Sequence, residues 1–296
     1  MRRLVAPIAV VIAAYAGYVS LGQASSGLQP WDSELSDNFV FTRAIPFVLA
    51  LGVAVGLLRS PGRGVERRVD GAVRRFSPWT VSMHAVLTLG ILLALPTGAW
   101  QYLGGILDQS APVPLFLFYR VHYVGAAIVL FSVAAFLTAW WSTGESALLV
   151  PRGAWRAHLR GLVDELPPAL GKRVAGLLHV DMRQRAAVAG RFSFYELVVS
   201  FPSWAFVLAL ITVTGLVKAM RYAAPVPPTV LYVASTLHVA AMVLIAAKVL
   251  DHLRYTLARW PLVVAMATTW WKEPVPAAAP EPAAPPAPSP AAAGGD

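Results

Sequence analysis

Six long apolar runs restrict what this chain can fold into more than any other feature. They lie at about 4–21, 41–58, 80–101, 117–141, 196–217 and 229–253. A helix needs roughly 20 apolar residues to cross ~30 Å of hydrocarbon. A continuous apolar run of that length selects a helix, which satisfies its own backbone groups in lipid, over the alternating strand of a barrel. Composition agrees: 57% of the 296 residues are hydrophobic and 13% are charged, against about 25% charged in soluble domains. The expected fold is all-α and integral to a membrane. It is a four-helix transmembrane bundle with two extra N-terminal transmembrane helices.

Loop charge sets the orientation. The segment 22–40 carries Asp32, Glu34 and Asp37 and no Lys or Arg, and 102–116 carries only Asp108. The segment 59–79 carries six arginines, and 142–192 carries eight basic residues. With Arg2, Arg3, Arg254, Arg259 and Lys272, 19 of the 24 basic residues fall on one side. That side is expected to be the cytoplasm, with both termini there, in a bacterial inner membrane. Lys218 and Arg221, in a short loop on the other side, are the exception. The net charge of +9 is therefore topological, and nucleic acid is not an expected partner. The first run follows Met1-Arg2-Arg3 and is read as a retained helix rather than a cleaved signal peptide. Retention lets the second run return the chain to its starting side.

The chain divides into 1–58 (two N-terminal helices), 59–256 (the bundle, with a cytoplasmic loop at 142–192) and 257–296 (a C-terminal segment). Within the loop, 152–163 and 168–179 have the composition of short interfacial helices. The Ala/Pro-rich tail Glu273–Asp296 has no core-forming pattern and is expected to be disordered.

An internal repeat runs through the bundle. Arg75-Phe76-Ser77 recurs as Arg191-Phe192-Ser193, and His122 recurs as His238, both at an offset of 116. Thr97-Gly98 recurs as Thr214-Gly215 at an offset of 117. Two copies of one helical hairpin make a parallel repeat.

Four histidines lie in the apolar runs: His84, His122, His238 and His252. His238 and His252 are 14 residues apart, which is ~21 Å along a helix and nearly a whole number of turns. His84 and His252 fall near the cytoplasmic ends of their helices, and His122 and His238 near the outer ends. Each level thus receives two imidazoles from two helices. Ionisable side chains inside a bilayer are costly and mark function. Imidazole pairs at matched depths point to bis-histidine ligation of two haems. No cysteine is present, so any haem is held non-covalently and Cys-ligated iron–sulfur clusters are excluded. Small residues beside the ligands, Gly125, Ala126, Ala127, Ala240 and Ala241, would let a macrocycle approach. Thr97-Gly98 and Thr214-Gly215 would do the same, or serve helix packing. Arg74, Arg75 and Arg254 are candidate partners for propionates of the inner haem, and Arg120 and Arg221 for those of the outer one. Lys248, one turn before His252, faces the bundle. His158 and His179 read as surface histidines.

These segments resemble the di-haem cytochrome b membrane subunits of formate dehydrogenases, hydrogenases and thiosulfate reductases, and more closely their relatives that sit beside multihaem c-type cytochromes. The resemblance covers about 74–256. Arg75-Phe76-Ser77, His84 and Thr97-Gly98 resemble the first family helix, and Arg120-Val121-His122 the second. Arg191 to Glu196 with Trp204 and Thr214-Gly215 resemble the third, and His238 with His252 the fourth. The resemblance implies two haem b groups, on His84 with His252 and on His122 with His238. It also implies a quinone site beside the inner haem, at Ser193 and Glu196.

The expected function is electron transfer between an outer-face redox partner (an iron–sulfur subunit or a multihaem c-type cytochrome) and the quinone pool. Glu196, Lys248 and Asp251 are candidate proton donors. The chain carries no molybdopterin, flavin or iron–sulfur motif, so it holds no complete enzyme active site. The competing readings are a haem-free scaffold or transporter subunit, and a stand-alone electron shuttle.

Overall fold

A computed structural model describes residues 34–59, 72–74, 76–107, 115–143, 150, 153–166, 168–179, 193–258 and 260–272. The first apolar run, Arg75, Arg191-Phe192 and the Ala/Pro-rich tail lie outside the described residues. The described residues are mostly helical, with one small ribbon. Helix α1 spans Glu34–Leu58, α2 Pro78–Leu107, α3 Leu115–Thr143, α4 Trp155–Glu165 and α5 Pro168–Leu178. A π-helical turn, Glu196–Ser200, runs into α6, Phe201–Met220. Helix α7 spans Pro228–Leu257 and α8 Trp260–Thr268. Strands β1 (Ala72–Arg74) and β2 (Trp270–Lys272) pair antiparallel.

Five of these helices are long and apolar enough to cross a membrane: α1, α2, α3, the π turn with α6, and α7. The protein is an all-α, multi-pass membrane protein. The expected short helices 152–163 and 168–179 appear as α4 and α5. Neither the β1–β2 ribbon nor α8 was expected. The ribbon ties the segment before α2 to the segment after α8, with a further bond from the Phe76 N–H to the Thr269 carbonyl at 3.3 Å.

Small residues set how closely the helices approach, as expected where lipid removes the hydrophobic drive between them. A side chain at Gly52 would meet the Phe131 carbonyl at 2.5 Å, and one at Gly56 the Ala135 carbonyl at 2.6 Å. Gly52 and Gly56 are one turn apart on α1 and face Ala135 and Ala139 of α3, both fully buried. Helix α2 crosses α3 in the same way: a Cβ at Gly125 would meet the Ala94 nitrogen at 2.6 Å. Gly125 thus serves the packing of α3 on α2. A core of Ile45, Leu130 and Ala219 joins α1, α3 and α6.

The π turn has a local cause. Pro202 has no N–H to give the Val198 carbonyl, so the regular ladder is broken there. The Phe201 N–H instead reaches the Glu196 carbonyl, five residues back.

Helices α2 and α6 begin, and α1, α3 and α7 end, beside the Arg-rich segments. This is called the basic end below.

Candidate functional site

The structure brings the four intramembrane histidines together in two pairs. At the basic end, the rings of His84 (α2) and His252 (α7) lie 6.1 Å apart, centre to centre, and are tilted by 45°. Trp204 of α6 meets His252 edge to face, also at 6.1 Å. At the opposite end, His122 (α3) and His238 (α7) line one cavity of about 420 Å³. That volume is in the range of small-molecule and cofactor pockets.

The second pair is held in one tautomer by its neighbours. His122 Nδ1 lies 2.9 Å from the Ala94 carbonyl oxygen. A carbonyl only accepts, so Nδ1 carries the proton and donates it. His238 Nδ1 lies 3.0 Å from Thr214 Oγ1. Thr214 gives its own proton to the Leu210 carbonyl, at 2.7 Å. With its proton there, its oxygen accepts from His238 Nδ1. In both residues Nε2 is left with a bare lone pair. A donated Nδ1–H is the arrangement that orients metal-ligating histidines.

The Thr-Gly repeat explains how these rings sit so close to the neighbouring helix. A Cβ at Gly98 would lie 2.9 Å from His122 Cε1, and one at Gly215 would lie 3.2 Å from His238 Cε1. In each copy the glycine leaves a slot for the imidazole of the next helix.

Lys218, Arg221 and Gln101 also line the cavity, but Arg120 does not. The Arg221 guanidinium lies over the Tyr222 ring, 4.6 Å from its centre, and bonds the Tyr222 hydroxyl. Helix α1, outside the repeat, supplies Asn38, Phe41, Thr42 and Ile45 to the wall.

Ser193 and Glu196 are also brought together, as a reciprocal helix cap. The Ser193 N–H donates to Glu196 Oε2 at 2.8 Å, and the Glu196 N–H donates to Ser193 Oγ at 3.1 Å. This is the Ser-x-x-Glu capping box, a signal present in the sequence that the quinone expectation passed over. The first copy starts alike: the Thr80 N–H donates to Ser77 Oγ at 3.1 Å. The Phe-Ser of the repeat therefore encodes a helix start. A second carboxylate, Glu165 of α4, accepts from the Phe194 and Tyr195 N–H groups at 2.9 and 3.0 Å.

A polar cluster that the sequence only partly announced lies next to this cap. Asp251 Oδ2 accepts from the Tyr195 hydroxyl at 2.5 Å and from Lys248 Nζ at 3.1 Å. Its Oδ1 accepts from Arg254 at 3.2 Å. Burial, with the proton held toward Asp251, raises the Tyr195 phenol to about 12. Tyr195 stacks on Tyr255, whose hydroxyl lies 2.8 Å from Ser193 Oγ. Lys248 also reaches toward the Trp204 ring, 5.9 Å from its centre. His158 is not a plain surface histidine, because its ring packs edge-on to Phe194 at 5.5 Å.

Among the described residues no three His, Cys, Asp or Glu side chains converge on one point. A zinc-type site with three or four protein ligands is therefore not built among them. Two imidazoles per level can hold a metal centre that asks the protein for two ligands. No family model, no curated protein and no solved structure matches this chain.

Proposed function

We propose that the chain is a membrane cytochrome b subunit. It carries electrons through two b-type haems between a redox partner on its outer face and the quinone pool. The observation that carries this reading is the double pairing of the histidines. His84 and His252 stand side by side, and His122 and His238 share a cavity with both Nδ1 protons given away.

The residues fit the group. With a metal–imidazole bond of about 2.1 Å and a ring nitrogen roughly 1.1 Å from the ring centre, two imidazoles that share one ion have centres no more than about 6.4 Å apart. The His84–His252 separation is 6.1 Å. A haem at each level would be held by His84 with His252 and by His122 with His238, two imidazoles being what such a group would ask of the protein. When bound, the haems supply one-electron chemistry at two depths. The chain's own work is to fix the ligands' tautomers, exclude water and surround the sites with apolar helix.

At the basic end, Ser193 and Glu196 have atoms committed to the cap. A quinone there meets Tyr195, Tyr255, Asp251 and Lys248 as its polar surroundings. On this reading the basic end faces the cytoplasm, both termini lie there, and the partner docks on the opposite face.

A dithionite-reduced minus oxidised spectrum and a pyridine haemochrome assay on purified protein test the proposal. About two b-type haems per chain are expected. His122→Ala or His238→Ala is expected to remove one haem and leave the other. Folded protein without haem, made in a haem-replete host, overturns the reading.

A further inference from the structure

We propose that Lys218 anchors a carboxylate of the ligand held between His122 and His238, and that helix α1 keeps Lys218 in place. The inference rests on the reading above, in which that ligand is a haem with carboxylate-bearing propionates.

Three observations carry it. The first is charge. Lys218 lies near the end of a membrane-spanning segment and lines the cavity. Its charged and titratable neighbours are Arg221, His122 and His238. No carboxylate among the described residues pairs with it. A cation withdrawn from water without a counter-charge is costly, and an arriving anion removes that cost. Its position also runs against the charge asymmetry of the chain, which puts 19 of 24 basic residues at the other end. Topology therefore gives no reason for a lysine here.

The second is the repeat. Aligning Thr97-Gly98 with Thr214-Gly215 places Gln101 opposite Lys218. Both line the cavity. Gln101 Nε2 donates to the Phe118 carbonyl at 3.2 Å and so closes its own helix pair. The second copy has replaced this amide by a cation. The cavity is thus asymmetric about its two imidazoles, with its ammonium on one side only.

The third is the wall. Asn38 Oδ1 and Thr212 Oγ1 are buried without a hydrogen-bond partner, and both residues line this cavity. Buried polar atoms are rarely left unpaired, so two in one cavity wall call for a partner that the protein itself does not supply. Helix α1 also fixes the turn that carries Lys218. The Thr42 hydroxyl reaches the Ala219 carbonyl at 3.1 Å as well as Asn38 in its own helix at 2.9 Å. Ile45 packs on Ala219 in the same place.

The test compares wild type, Lys218→Met and Lys218→Arg, both as isolated and as haem-free protein titrated with haemin. Lys218→Met is expected to raise the Tm of the haem-free protein, because it removes a half-buried charge that no carboxylate among the described residues pairs with. It is also expected to weaken haemin binding at one of the two sites by about tenfold or more, since a charge-assisted bond is lost. The His84–His252 haem, unchanged in the same sample, reports that the bundle is intact. Lys218→Arg is expected to retain both haems. Thr42→Val is expected to weaken the same single site. Two haems bound by Lys218→Met as tightly as by wild type overturn the proposal and leave the haem reading standing. A wild-type protein that binds no haemin overturns both.

Discussion

A carbonyl oxygen has no proton to give, and that restriction orients two of the four imidazoles. His122 must donate to Ala94, and His238 donates to Thr214 when the Thr214 proton lies on the Leu210 carbonyl. Position depends on what the neighbouring helix lacks. At Gly98 a methyl would come within 2.9 Å of His122 Cε1 and 3.1 Å of its Nδ1, and at Gly215 within 3.2 Å of His238 Cε1. The first forces the ring to move, while the second is absorbed by a small shift. On the proposed haem reading, Gly98→Ala is therefore expected to lose the haem of this cavity and Gly215→Ala to keep most of it, as read by haem per chain. Helix propensity works the other way, because Ala stabilises a helix interior by about 1 kcal/mol over Gly. A loss at Gly98 with unchanged or raised Tm then isolates the ring. Tyr195 gives a second prediction. Its phenol is raised to about 12 by burial and by Asp251. A raised pKa means that the bond to Asp251 contributes fully below the ordinary value near 10 and is lost as pH rises through 12. Tyr195→Phe should remove that step from the alkaline unfolding curve, and Asp251→Asn should shift it down toward 10.

At the scale of elements, the start of the third repeat helix carries two caps. Ser193 and Glu196 satisfy each other's backbone, and Glu165 reaches in from α4 to take two more N–H groups. Ser193→Ala is expected to cost about 1 kcal/mol, the usual value of a lost N-cap, read as a lower Tm with the proposed quinol-linked haem reduction retained. Unchanged Tm with that reaction abolished would instead put Ser193 against the quinone. The capping box was legible, because it is a four-residue pattern within one segment. Glu165 was not, since it lies 29 residues from Phe194 and only the fold brings α4 against the π turn. The helix spans were legible for the same local reason. Each of the five described spans is set by a run of apolar side chains, and most of their bounds moved by only a few residues. The exception is α1, which begins at Glu34, ahead of the apolar run at 41, because a helix starting outside hydrocarbon tolerates Glu34 and Asp37. The β1–β2 ribbon joins residues almost 200 positions apart, and nothing in three residues of either strand announces the other.

Over the whole molecule, the repeat organises the site and the added helix α1 breaks its symmetry. The pairing of the histidines by depth was readable from spacing along helices that must all cross one slab. Which cation lines the cavity was not readable. Arg120 and Lys218 lie at the same end of the bundle, and only the helix rotations bring Lys218 into the wall and leave Arg120 out of it. Orientation in the membrane rests on charge alone, so it makes an independent prediction. The chain has no cysteine, and a single introduced thiol reports one side. Leu177 on α5 is 79% exposed and lies in the basic segment between the repeat copies. Ala223 is exposed in the turn between α6 and α7, at the opposite end. In sealed right-side-out vesicles, a membrane-impermeant maleimide should label Ala223→Cys at once, and Leu177→Cys only after the vesicles are opened. Both sites lie outside the spans, so neither substitution touches the bundle. The reverse pattern would put the His122–His238 cavity on the cytoplasmic face. On the proposed electron-transfer reading, the redox partner would then have to dock on that face, and the quinone pool would be served from the other.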